Sequence, residues 1–80
     1  MKIMYNGEKI TIGSFGQLKD TIRKPRAMET LELVQSAGRE DELMECFNEI
    51  FADYKYSLVD VEDYLMYEMC NESTWADLWE

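Results

Sequence analysis

Histidine is absent from this 80-residue chain. That removes His-based triads and the commonest general base, and it leaves any zinc site without its usual nitrogen ligand. Cysteine is scarce. Cys46 and Cys70 stand far apart and form no CxxC. A disulfide scaffold of this size carries more cysteine, so both are expected as buried, reduced thiols. One proline and four glycines leave no linker or low-complexity stretch, and no internal repeat is visible. No apolar run approaches the roughly 20 residues that span a bilayer. No basic head precedes a long apolar stretch, as it would in a signal peptide. The expectation is a single domain over residues 1–80, in the cytoplasm, with no membrane partner.

Basic residues are also scarce, but only in part of the chain. Residues 1–26 hold six basic and two acidic side chains; residues 27–80 hold two basic ones, Arg39 and Lys55, and fifteen acidic ones. The net charge of −9 is therefore a +4 segment followed by a −13 segment. Solubility needs less charge than that. A surface of this kind repels nucleic acid and attracts basic protein. Disordered acidic chains are poor in aromatics. Here aromatics make up 12% of the residues and cluster after residue 46, which points to a folded chain.

The local pattern reads as α+β, a small domain with an N-terminal β-hairpin packed on three to four α-helices. Residues 2–12 alternate around Asn6-Gly7, the strongest short hairpin signal. The face Ile3/Tyr5/Ile10/Ile12 must then pack on helices. Ser14 and Gln17 fit a capping box, and that helix stops near Arg23 because Pro25 follows Lys24. Pro25 suits the first turn of a second helix over about 26–36, with Met28, Leu31 and Val34/Gln35 inward and Gly38 as its left-handed cap. A third helix is predicted over 40–54. Its inner stripe is Leu43, Phe47, Ile50, Phe51 and Tyr54. Ser57 to Asp60 opens a fourth, with Leu58, Val61, Leu65 and Met69 inward and a break at Asn71 to Ser73. A last short turn at Thr74 to Asp77 returns Trp75, Leu78 and Trp79 to the body.

The carboxylates form stripes. On the third helix Glu42, Glu45, Glu49 and Asp53 fall at i, i+3, i+7 and i+11, opposite the apolar face. Neighbours at such spacing lie about 5–6 Å apart at Cβ. On the fourth, Asp60 and Asp63 share a face with Tyr64 and Tyr67. Ordinary exposed helices mix signs at i, i+4; these do not. Duplex DNA carries a phosphate about every 3.4 Å of each strand, so such a stripe can occupy a groove lined with Lys and Arg. Tyr56, Tyr67 and Trp79, off the inner stripes or at the terminus, could add anchoring or fill the core, since Tyr and Trp are enriched where partners dock. The expected partner-binding set is Glu42, Glu45, Glu49, Asp53, Asp60, Asp63, Tyr67 and Trp79. The basic patch Lys19, Arg23, Lys24 and Arg26 is expected to pair with the chain's own carboxylates or with those of a second copy in a homodimer.

No catalytic pattern rises above background. The serines suit caps and turns. Gly13 to Gly16 is too short for a phosphate loop and lacks its lysine. The acidic runs lack the alternating ligands and central glycine of an EF-hand. The expectation is no enzyme, no metal and no cofactor. In size, charge and lack of motifs the chain resembles phage-encoded anti-defence proteins, including anti-CRISPR and anti-restriction DNA mimics, though no residue motif carries the likeness. That resemblance implies an inhibitor that occupies the basic nucleic-acid-binding groove of a target, such as a nuclease, without itself binding nucleic acid. The alternative is a small adaptor, antitoxin or accessory subunit of a hetero-complex that uses the aromatic C-terminal tail.

Overall fold

A computed structural model describes residues 1–79. The chain runs β1 (Lys2–Tyr5), β2 (Glu8–Thr11), α1 (Phe15–Thr21), α2 (Pro25–Ser36), α3 (Glu40–Ile50) and α4 (Leu58–Asp63). Beyond α4 the helix continues as a π-helical turn, Tyr64–Glu68, and a 3-10 turn, Met69–Asn71. A last 3-10 turn covers Ala76–Trp79. The fold is α+β, an antiparallel hairpin followed by four helices, as the pattern predicts.

The hairpin closes through Asn6 and Gly7, whose φ values of 51° and 80° are those of a type I′ turn. Its register pairs Ile3 with Ile10 and Tyr5 with Glu8. Ile3 and Ile12 are buried, and Tyr5 and Ile10 pack at the edge of the core. The outer edge of β1 is also covered. Lys2 donates its backbone N–H to the Phe51 carbonyl at 2.7 Å, Met4 donates to Tyr56 at 2.8 Å, and Tyr54 donates to Lys2 at 3.2 Å. An open strand edge invites pairing with another chain; here the segment after α3 takes that place.

This pairing corrects the third helix. It ends at Ile50 rather than at residue 54. Phe51 turns out of the helix and stays buried, while Ile50 is exposed. Tyr54 has φ 63°, which costs a bulky side chain about 1–3 kcal/mol. Its ring and hydroxyl offset the strain. The hydroxyl lies 3.2 Å from that of Thr11, and the ammonium groups of Lys2 and Lys9 lie 5.9 and 5.3 Å from its ring centre.

The helix starts follow local chemistry. Ser14 Oγ accepts from Gln17 N at 3.2 Å, and Gln17 reaches back one residue further than a standard capping box, to Gly13 N at 2.7 Å. Pro25 opens α2. Gly38, at φ 68°, ends it in a Schellman motif: Gly38 N bonds Gln35 O and Arg39 N bonds Val34 O. The inner face of α2 is Ala27, Thr30, Leu31 and Val34, so Met28 is only half-buried and Gln35 is exposed. The small side chains let α2 approach the π-helical turn, where the Thr30 hydroxyl donates to the Leu65 carbonyl at 3.0 Å. Leu58, Val61, Leu65 and Met69 are buried as predicted, and Trp75 joins the same core. Truncating a buried tryptophan costs about 3–5 kcal/mol.

Candidate functional site

Three of the four expected carboxylates on α3 keep their place. Glu42, Glu45 and Glu49 lie within Glu40–Ile50 and are exposed. Asp53 does not belong to the stripe. It lies beyond the helix, in the segment that runs along β1, because backbone pairing with the strand competes successfully with further helix.

Glu42 is already neutralised. Arg39 Nε and Nη2 donate to its two oxygens at 2.8 Å each. The same guanidinium donates to Asp77 Oδ1 at 3.1 Å and to the Thr74 carbonyl at 2.7 Å. It also stacks 4.3 Å from the centre of the Trp75 ring. Hydrogen bonds from Arg39, and then its charge, hold the Glu42 carboxyl below its ordinary value. This nest ties the C-terminal segment to the start of α3. Glu45 and Glu49 remain, and neither is in an ion pair among the described residues.

On α4 the acids have separate duties. Asp60 Oδ2 accepts from Ser57 N at 2.8 Å and from Ser57 Oγ at 3.1 Å, the closure of a capping box. Asp63 lies 3.8 Å from Lys24 Nζ, a loose and exposed pair. Lys24 alone of the basic patch reaches a carboxylate among the described residues. Lys19 donates instead to Gln35 Oε1 at 2.9 Å. Glu62 is buried at 3% exposure, where its Oε2 accepts from Arg23 N at 3.0 Å and Lys24 N at 2.9 Å.

Asp60 and Asp63 also border an open groove of about 400 Å³. Its third acid is Glu68, and its apolar wall is Ile50, Phe51, Tyr56 and Tyr64. The sequence pattern puts Tyr67 on the face of Asp60 and Tyr64. The π-helical turn changes this. Its i→i+5 bonding, seen in Met69 N to Tyr64 O, makes each residue rotate less about the axis. The effect equals one inserted residue, so Glu68 takes the position in line with Asp60. Tyr67 swings away, 53% exposed, with the Arg26 guanidinium 5.6 Å from its ring.

The apolar wall belongs to an edge-to-face cluster. Phe47 meets Phe51 at 5.2 Å and Tyr64 at 5.4 Å between ring centres; Phe51 meets Tyr56 at 5.6 Å. Burial, with the Cys46 thiol beside it, pushes the Tyr64 hydroxyl well above its ordinary range. Tyr56 is 38% exposed and offers the groove a ring. Ile50 and Glu68 lie outside the expected set, while Tyr56, a candidate anchor by its sequence position, does line the groove. The exposure of Ile50 and Tyr56 follows from where α3 stops, which no local residue signals.

Trp79 does not return to the core. It is 43% exposed and borders a second cleft of about 240 Å³ with Arg26, Glu29, Leu33 and Met66. The cysteines also differ from expectation, since Cys46 is half-buried and Cys70 exposed. Cys70 Sγ donates to the Tyr67 carbonyl at 3.3 Å, because the 3-10 turn faces Cys70 outward. Among the described residues, no group of three or more Cys, Asp or Glu side chains is placed to hold a metal ion. Nor is any helix there long and apolar enough to cross a membrane. No protein-family model, curated protein or solved structure matches this chain.

Proposed function

We propose that this chain is a non-enzymatic protein-binding module whose acidic helical surface engages a basic surface of a partner protein. The observation that carries this reading is how the countercharge of residues 27–80 is used. Of its two basic residues, Arg39 is spent inside the nest with Glu42 and Asp77, and Lys55 lies over the Tyr56 ring at 5.8 Å. Glu45, Glu49 and Glu68 are left facing outward without an ion-pair partner among the described residues. Neighbouring like charges cost a helix a few tenths of a kcal/mol each, and a basic partner would offset that cost. A partner groove built for phosphates is the best chemical match, so inhibition of a nucleic-acid-binding protein or nuclease is the leading form of this function. An anti-defence role in a phage-infected bacterium belongs to that form.

The test is capture of partners from a nuclease-treated bacterial lysate, eluted by stepped salt, followed by competition with DNA or guide RNA. A nucleic-acid enzyme released at moderate salt and displaced by nucleic acid supports the proposal. Glu45→Lys with Glu49→Lys then abolishes capture. A second reading, an adaptor, antitoxin or accessory subunit, is favoured by the exposed Tyr67, Trp79 and Leu33, the last two lining the second cleft. In that case the partner survives high salt and is lost on Trp79→Ala, while the double Lys variant still binds.

A further inference from the structure

Resting on the acidic-surface reading, we propose that the groove between the end of α3 and α4 anchors an arginine side chain of the basic partner. The groove combines two features that a guanidinium needs. Asp60, Asp63 and Glu68 supply carboxylates around it, and no basic residue lines it among the described residues. Tyr56, Tyr64 and Phe51 supply aromatic surface. The charge complementarity selects a cation, and the apolar wall selects one that is planar and weakly hydrated.

The same chain displays the arrangement in another place. Arg39 is held by aromatic stacking on Trp75, by both oxygens of Glu42, by Asp77 and by a backbone carbonyl. The groove likewise gathers carboxylates and aromatic rings. A lysine matches it less well. An ammonium is a strongly hydrated point charge without a face to stack. Of the chain's own lysines, Lys24 pairs only loosely with Asp63 at 3.8 Å, and Lys55 lies 5.8 Å from the Tyr56 ring centre. At about 400 Å³ the groove is within the range of side-chain and small-ligand sites. The π-helical turn gives the groove its third carboxylate by bringing Glu68 into line, and such turns recur at functional sites.

The experiment is an NMR titration of the 15N-labelled full chain with three blocked tripeptides, Gly-Arg-Gly, Gly-Lys-Gly and Gly-citrulline-Gly. Citrulline keeps the shape of arginine and removes its charge. Saturable shifts at Ile50, Tyr56, Tyr64 and Glu68 are expected with arginine, weaker ones with lysine and none with citrulline. Asp63→Asn and Glu68→Gln, both conservative, should each weaken arginine binding about two- to five-fold, the range of a half-exposed ion pair. Tyr56→Ala should weaken it further while the hairpin amides keep their shifts, since only the Tyr56 backbone bonds β1. Glu45→Gln with Glu49→Gln should change nothing at the groove. Equal, unsaturable shifts with arginine and lysine across all carboxylates overturn the groove and leave the acidic-surface reading standing. An absence of shifts overturns the groove as well. The wider reading falls only if Glu45→Lys with Glu49→Lys also leaves partner capture unchanged.

Discussion

Glu62 and Arg23 are 39 residues apart, yet the Glu62 carboxylate accepts the Arg23 backbone N–H at 3.0 Å and that of Lys24 at 2.9 Å. The bond pins the junction between α1 and α2 against α4. Such a junction has no helical partner for its N–H groups, because Pro25 starts a new helix there. A buried carboxylate takes that place.

Glu62→Ala leaves those N–H groups without their acceptor and is expected to destabilise the fold by about 3 kcal/mol, as for buried groups that lose a charged partner. Glu62→Gln keeps a carbonyl oxygen there and should cost about 1 kcal/mol. Urea denaturation of the two variants against the parent chain measures both. Equal losses would mean that a neutral carbonyl oxygen of the same shape cannot replace the carboxylate, so that its charge rather than its packing or its oxygen holds the junction.

Arg39→Ala should release the C-terminal segment. The guanidinium contributes a bidentate pair, a further carboxylate contact and stacking on Trp75, and its loss is expected to lower the stability of the fold. A red shift of tryptophan emission, as Trp75 meets water, would accompany the lower melting temperature. Arg39→Lys should recover less than half of the loss, because an ammonium cannot form the planar fork.

The pair of Arg39 and Glu42 also sets a pH dependence. The Glu42 carboxyl is held below its ordinary value of 4.5, chiefly by hydrogen bonds from Arg39. A lowered folded-state pKa means that the unfolded chain binds the proton more readily. The contribution is therefore complete above about pH 4.5 and is lost as pH falls through the folded-state value. Melting temperatures of the parent chain and Glu42→Gln should converge as the pH is lowered from 7 to 3. Parallel curves would rule the pair out as the source.

Charge reversal on the outer face of α3 should leave the fold alone. Glu45 and Glu49 are exposed and stand at i, i+4. Glu45→Lys with Glu49→Lys changes stability by about 0.5 kcal/mol or less, the scale of such pairs. Thermal melts check this. A large loss of stability would show that these carboxylates hold the fold and would disqualify the variant as a probe of binding.

The hairpin, the helix starts and most of the inner faces were legible because each depends on neighbours in the chain. Asn6-Gly7 tolerates positive φ, Pro25 cannot continue α1, and Gly38 ends α2 through bonds to residues three and five back. The third helix stops at Ile50, short of the end of its apolar period, for a physical reason. The apolar period continues through Phe51 and Tyr54, and no Gly or Pro interrupts it. What stops the helix is the edge of β1, about fifty residues away, whose N–H and C=O groups need partners. Asp53 left the acidic stripe with that turn. The candidate site was legible in its charge but not in its shape. Asp60 and Asp63 were in the expected set; Glu68 took the position of Tyr67 through a π-helical turn that periodicity does not announce.

Local chemistry is enough to account for the turn at Asn6-Gly7, the caps of α1 and α4, the inner stripe of α4 and the separation of charge along the chain. Contacts between distant segments account for the rest: the end of α3, the burial of Glu62, the capture of Glu42 by Arg39, and a groove that joins Ile50 and Tyr56 to Glu68. Each of these depends on which unsatisfied backbone group or opposite charge lies nearby in space, and spacing along the chain does not record that.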